Sequence, residues 1–393
     1  MLISSCRRRK REKEEGRGYP LANETAHRIA IVGLGLIGGS LGMAIRAARL
    51  RGVEVVGYDR DGAVVSKAKR LGAIDREARD LARAVSGASL VVIATPILAI
   101  REVLREAAPH LSPGAVVTDT GSTKAAVMAW ARELLPEGVH FVGGHPMAGK
   151  EAQGIDNAQA DLFRERAYCL CPDPQADEGA VRTVLGLVHL VGATPLFIDP
   201  QEHDQYVAAV SHLPLVVATA LFTLVRGSSG WSEMAPLAAS GFRDTTRLAS
   251  GDPEMAHDIC LTNQEAILHW LDRMIGELYR YRRLIAEGGA ELFETFARAQ
   301  LERDAFMAKK VVGREQPQVD LPDFKEALAS LFIGRALTER MRKLSELGER
   351  PQAAPPPRED RTERLARLMR ERLERDLRRD LEKEDGGQRP PRE

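Results

Sequence analysis

The feature that most constrains the fold of this chain is a glycine pattern in a particular setting. Gly33-Leu-Gly35-Leu-Ile-Gly38 follows directly on the apolar run Arg28–Val32 and opens a helical stretch. Alone, a GxGxxG is weak evidence; between a strand and a helix each glycine acquires a task. The first permits a tight turn, the second lets a pyrophosphate approach the backbone, and the third lets helix pack on strand. The helix N-terminus, at Leu36 and Ile37, then offers unpaired N–H groups to phosphates. Asp59 stands about 20 residues further on, at the end of Val53–Tyr58, placed to accept hydrogen bonds from an adenosine ribose and to repel a 2′-phosphate. A glycine turn with no ligand is the competing reading. With strand, helix and acid in one register, a dinucleotide is favoured, and NAD over NADP, although Arg60 beside Asp59 pulls the other way.

From His27 onward short aliphatic runs alternate with helical stretches, as in parallel α/β units. Strands are expected at Arg28–Val32, Val53–Tyr58, Leu90–Ala94, Ala115–Asp119, Val139–Val142, Ala167–Cys171 and Thr194–Ile198. Helices are expected at Ser40–Arg51, Ala63–Leu71, Ile97–Ala108 and Ala125–Leu135. Such runs need cover on both faces, so an α/β Rossmann-type doubly wound sheet is the expected fold. After about Asp199 the strand signals stop and an all-α domain follows. One long helix is expected from Asp252, with Asp252 as N-cap, Pro253 at the first helical position, and Ile259, Ile267, Leu271, Ile275 and Leu278 at helical spacing. The run between Asp204 and Arg226 lacks Asp, Glu, Lys and Arg but carries Ser211, His212 and Pro214. It reads as a helix buried inside protein rather than a membrane span, kinked where Pro214 cannot donate to the Val210 carbonyl. So much apolar helical surface implies a homodimer.

The expected organisation is a basic N-terminal extension (1–26), a nucleotide-binding domain (27–199), a helical substrate and dimerisation domain (200–310), and a charged, Pro-containing, mobile tail (311–393). The 56 Lys+Arg balance 56 Asp+Glu, which removes any overall electrostatic argument for nucleic acid or an anionic membrane. Four cysteines without CxxC spacing are neither a disulfide framework nor a zinc site; no metal is expected, and a cytoplasmic setting is.

Three polar groups follow apolar strands: Thr95-Pro96, Ser122 with Lys124, and His145-Pro146. Ligands bind at the carboxyl ends of strands in open α/β sheets, so all three should border the cofactor. Ser122-Thr123 reads equally as an N-cap for Ala125–Leu135. His145 reads either as a structural histidine in a glycine-rich turn or as a general base. Residues Gly241 to Arg247 form a polar loop between helices, in which a lone arginine carries no weight by itself.

With these motifs in this order the chain resembles the prephenate and arogenate dehydrogenases of tyrosine biosynthesis. The likeness runs from about Ile29 to Leu284 through GLGLIGGSL, the Asp59 strand end, ATP at 94–96, TDTGSTK at 118–124, GGHPMAGKEAQG at 143–154, SHLP at 211–214 and GFRDTTRLASGDP at 241–253. The resemblance implies a nucleotide domain, a helical dimerisation domain and an NAD-dependent oxidative decarboxylation of a small-molecule substrate, prephenate or arogenate. It also implies roles: His145 as catalytic histidine, Ser122 orienting hydroxyl and histidine, Arg247 binding a substrate carboxylate, and His212, Glu151 and Asp244 in the polar network around that arginine. The chain departs from the common pattern at Leu215, where many members have histidine, and at Ala256, where many have tryptophan. Two other readings compete: a β-hydroxyacid dehydrogenase, and a catalytically inactive dinucleotide-binding regulator.

Overall fold

The apolar runs of the first half become strands because a sheet covered on both faces buries most of their residues, all four of Leu90–Ile93 among them. The computed structural model describes residues 27–149 and 152–308. The expected extension (1–26), the expected tail (311–393) and Glu151 lie outside the described residues. Strands β1 (His27–Val32), β2 (Val53–Tyr58), β3 (Arg76–Glu77), β4 (Leu90–Ile93), β5 (Val116–Asp119), β6 (His140–Pro146), β7 (Ala167–Pro172) and β8 (Thr194–Phe197) form one sheet in the order β3-β2-β1-β4-β5-β6-β7-β8. Among them run α1 (Leu36–Ala47), α2 (Gly62–Arg70), α3 (Leu81–Val85), α4 (Ile97–Ala107), α5 (Ala125–Leu134) and α6 (Glu178–Leu190). Strand alternation sorts the core. Ile29 and Ile31 join Leu41 and Ile45 of α1 and Val184 and Val188 of α6 in one cluster. Ala30 and Val32 join Leu81 of α3, Ile100 and Leu104 of α4 and Val127 of α5 in another. Each fully buried Ile or Leu contributes about 1.5–3 kcal/mol, so two such layers hold the doubly wound sheet firmly.

Two features of this topology position the site. The chain builds outward in opposite directions from β1 and β4, so the loops after these strands lie side by side at a switch point, where such sheets bind ligands. Secondly, neighbouring strands are parallel except β6 and β7. Pairing of β5 with β6 stops at Val142, but antiparallel β7 carries β6 on through Gly143–Pro146, with His145 opposite Cys169. Expected in a turn, His145 therefore stands on a strand.

The helical part comprises α7 (Pro200–Val207), a π-helical turn (Ala208–His212), α8 (Leu213–Arg226), α9 (Trp231–Met234), α10 (Ser240–Thr246), α11 (Pro253–Thr262), α12 (Gln264–Glu287) and α13 (Ala290–Met307). The interruption expected from Pro214 takes the form of that wider π turn, which absorbs the missing backbone bond just ahead of α8. The single helix expected from Asp252 is two helices. Asp252 does cap α11, accepting from the Glu254 N–H at 2.8 Å, but at Asn263 the backbone departs to φ −132°. Asn263 is buried and its amide donates to the Asp204 carbonyl at 2.8 Å, a tertiary bond that helical periodicity cannot reveal.

The run from Pro200 to Arg226 is long and apolar enough, by length and composition, to cross a membrane. It is not buried throughout, as expected of it. His203, Asp204, Val207, Ala208 and His212 are buried, whereas Val210 and Leu224 are 72% and 75% exposed. One face of this run therefore anchors to the sheet while its other face meets solvent in the single chain. By their contacts the described residues divide into two units, 27–271 and 272–308. The first holds the sheet and α1 to α11; in the second, the end of α12 and α13 meet through Tyr281 and Phe296, ring centroids 5.7 Å apart.

Candidate active site

At Gly33 the backbone takes φ +89°, and a Cβ there would come within 2.5 Å of the Ala94 carbonyl oxygen. Only glycine lets the turn after β1 pass the end of β4. At Gly35 the opposite holds: nothing lies within 4 Å of where a Cβ would stand, and the residue borders two adjoining clefts. Gly38 lies against the Gly33 carbonyl, where any side chain would collide. The N-terminus of α1 has no side-chain cap, so its free N–H groups suit an anion. One cleft, of about 440 Å3, is bordered by Gly33, Gly35, Asp59, Thr95, Pro96 and Glu102. The Asp59 carboxylate accepts from the Leu34 N–H at 2.8 Å and the Asp61 N–H at 3.0 Å, bracing the turn from the end of β2. Glycines, helix end and acid together fit a dinucleotide.

The second cleft, of about 540 Å3, brings together Leu36, Ile37, Thr95, Pro96, Ser122 and His145 with apolar Leu215, Leu248 and Met255. Ser122 and Thr123 do not cap α5. That task falls to Asp204 of α7, which accepts from the Lys124 N–H at 2.7 Å and the Ala125 N–H at 2.9 Å. Asp258 of α11 serves the start of α4 likewise, accepting from the Leu98 N–H at 3.0 Å. Thr123 instead meets the Thr262 hydroxyl at 2.9 Å. His212 is buried and is not among the residues bordering the cleft; its Nδ1 lies 3.2 Å from the Asn263 amide nitrogen. Since that amide can only donate, Nε2 of His212 carries the proton, and among the described residues it has no acceptor. Asp244 of α10 and Arg247, which opens the 3-10 turn Arg247–Ser250, are exposed and do not border the cleft, although Leu248, Gly251 and Asp252 do.

Behind His145 lies a chain of polar groups. Its Nδ1 is 2.9 Å from Nε2 of His203, and Nδ1 of His203 is 2.8 Å from the Asp204 carboxylate. The two rings meet edge to face, 5.1 Å apart at 71°. Beside them Lys124, wholly buried, pairs with wholly buried Asp119 and donates to the Gly144 carbonyl at 2.7 Å. Asp119 also accepts from the N–H groups of Gly121 (2.8 Å) and Gly144 (3.1 Å), tying β5 to β6 just before His145. Burial, then the neighbouring His203, Lys124 and His212, hold the His145 imidazolium well below its ordinary range. Burial pushes His212 down to about 4 against the pull of Asp204. His145 is thus a neutral imidazole at the edge of a cleft. His203, Asp204 and Asn263 were not anticipated. Their one sequence signal is that His203-Asp204 is the last polar pair before a charge-free run, one turn into a helix opened by Asp199-Pro200.

Two family models match in succession: the nucleotide-binding domain of prephenate dehydrogenase over residues 41–196 and its dimerization domain over residues 199–298. A prephenate dehydrogenase of Bacillus subtilis is 34% identical over 315 residues, 79% of this chain and 85% of that protein. The chain belongs to the prephenate dehydrogenase family. A cyclohexadienyl dehydrogenase of Zymomonas mobilis is also 34% identical, over 70% of this chain and 94% of its own. The solved prephenate dehydrogenase of A. aeolicus, in complex with hydroxyphenyl propionate and NAD+, superposes with a TM-score of 0.67 at 29% identity, covering 71% of this chain and 98% of that one.

Proposed function

We propose that this prephenate dehydrogenase family member oxidises and decarboxylates prephenate to 4-hydroxyphenylpyruvate, with NAD as cofactor, in tyrosine biosynthesis. The observation that carries the reading is one cleft shared by the nucleotide turn, Ser122 and His145, whose remaining border of Leu215, Leu248 and Met255 suits a ring. Gly33, Gly35, Gly38, Leu36, Ile37, Asp59, Thr95 and Pro96 would hold NAD, which when bound supplies the hydride acceptor. His145, neutral, accepts the substrate's hydroxyl proton as the ketone develops, and returns it to the same oxygen as carbon dioxide leaves and the ring becomes aromatic. Ser122 orients hydroxyl and histidine. Arg247 takes a substrate carboxylate, with His212, Asp244 and Glu151 in support. The chain contributes position, a proton acceptor and a cation; aromatisation supplies the driving force.

Arogenate is the alternative substrate: Leu215, where many members have histidine, borders the cleft, and one relative is named a cyclohexadienyl dehydrogenase. One experiment separates the readings: initial rates of NADH or NADPH formation with prephenate and with arogenate, each with NAD and with NADP. Prephenate with NAD is expected to show the highest kcat/KM. Higher kcat/KM with NADP removes the role given to Asp59, because a 2′-phosphate would meet Asp59 and Glu102 at that cleft. No turnover in any combination leaves the inactive regulator.

Arg247→Ala is expected to raise KM for the substrate by one to several orders of magnitude. A charge-assisted hydrogen bond contributes roughly 1.5–3 kcal/mol and a bidentate pair more. An unaltered KM takes Arg247 out of the site. The functional unit in this reading is a cytoplasmic homodimer divided near residues 199 and 200. Support comes from the exposed apolar side chains of α8 and α12, among them Leu224, Leu268 and Leu278, on segments within the matched dimerization domain.

A further inference from the structure

We propose that His203 and Asp204 are positioning residues that set the tautomer of His145, so that its Nε2 is the unprotonated nitrogen offered to the substrate. The inference rests on the reading of His145 as proton acceptor and adds what makes it one. Asp204 accepts from two backbone N–H groups at the start of α5, at 2.7 and 2.9 Å, and its Oδ1 lies 2.8 Å from Nδ1 of His203. A carboxylate can only accept, so Nδ1 of His203 carries a proton. The other ring nitrogen of His203, Nε2, lies 2.9 Å from Nδ1 of His145, and we assign it as the acceptor of that bond. That hydrogen bond needs one donor, which leaves the proton on Nδ1 of His145 and the lone pair on its Nε2. Both His203 and Asp204 are almost wholly buried, at 1% and 5% exposure, so water does not compete for these bonds.

The opposite tautomer would place an N–H where the substrate hydroxyl must donate, and the histidine could not act as a base. A carboxylate that orients a catalytic imidazole is a familiar arrangement; here a second histidine stands between them. As proton density moves from the substrate hydroxyl to Nε2, positive charge develops on the pair of rings, and the Asp204 carboxylate at its far end stabilises it. No proton need leave the site, since the same one returns to the oxygen of the product.

The direct test is nitrogen NMR of the full chain labelled at histidine, with His145→Asn used to assign the signals. In the parent, Nδ1 of His145 is expected to carry the proton and Nε2 to show the signature of an unprotonated nitrogen. A His145 signal with the proton on Nε2 overturns the proposal whatever the enzyme does. His203→Phe, which fills the space but accepts no hydrogen bond, is expected to mix the two tautomers. It should lower kcat at least about tenfold, a part of the roughly 10²–10⁴-fold that a general base supplies, with KM and NAD affinity little changed. His203→Gln, whose carbonyl can accept from Nδ1, should recover much of the loss. Parental kcat in His203→Phe, or equal loss in both variants with unchanged parental tautomer signals, defeats the positioning role. Failure of the underlying reading looks different: the parent would show the stated tautomer and yet turn over neither prephenate nor arogenate.

Discussion

His145→Asn is expected to lower kcat by roughly 10²–10⁴, the range a positioned general base supplies, while NAD affinity and Tm stay near those of the parent. Asn keeps a polar group near the position of Nδ1 but has no basic nitrogen to accept the hydroxyl proton. The same residue governs the acid side of the pH profile. Only neutral imidazole can accept, so activity falls as pH drops through the pKa of His145. Burial first, then His203, Lys124 and His212, lower that value, and a lowered value keeps the working form to lower pH. The acid limb of kcat should therefore lie well below the ordinary histidine value of about 6.5. Retention of more than a tenth of parental kcat in His145→Asn, or a limb at pH 6.5 or above that vanishes in the variant, would contradict the assigned role or the assigned environment respectively.

Lys124→Met should cost more in stability than any other single change considered. Lys124 and Asp119 are both wholly inaccessible, and the ammonium is the cation paired with that carboxylate. Removing it leaves a buried charge with only the N–H groups of Gly121 and Gly144 for company, and uncompensated buried charges destabilise by about 3–5 kcal/mol. For a fold of this size that corresponds to a fall in Tm on the order of 10 °C. Urea unfolding of the parent, Lys124→Met and the double variant Asp119→Asn/Lys124→Met checks the cause. The double variant should recover part of the loss, because no buried charge remains. If Lys124→Met loses under 1 kcal/mol, the pair is not what joins β5 to β6.

How much of this was legible beforehand depended on the range of the interaction. The seven longer strands lay open in the sequence because a strand buried on both faces is a continuous apolar run, as in Leu90–Ile93. The two-residue β3 and the five-residue α3 went unmarked, being too short to show a period. The glycine turn was legible because φ, close approach and spacing are local requirements, met within six residues. Helix boundaries were legible where a cap is local, as at Asp252, and misleading where it is not. Ser122-Thr123 looked like a cap for α5, yet the cap comes from Asp204, roughly 80 residues away in sequence.

The sequence by itself determined which segments bury both faces, where a phosphate can approach the backbone, and which family's motifs stand in order, since each of these is written within a few neighbouring residues. Tertiary structure decided the rest of the site. It placed His145 on a strand rather than in a turn, because β7 returns antiparallel along β6. It broke the long helix at Asn263 and turned that amide toward Asp204 and His212. It also carried α7 across the end of the sheet, so that His203 and Asp204 stand behind the imidazole. The physical reason is common to all three: buried polar groups must find partners, and the partner is supplied by whichever element the packing of apolar faces brings near, at a sequence distance that no local pattern records.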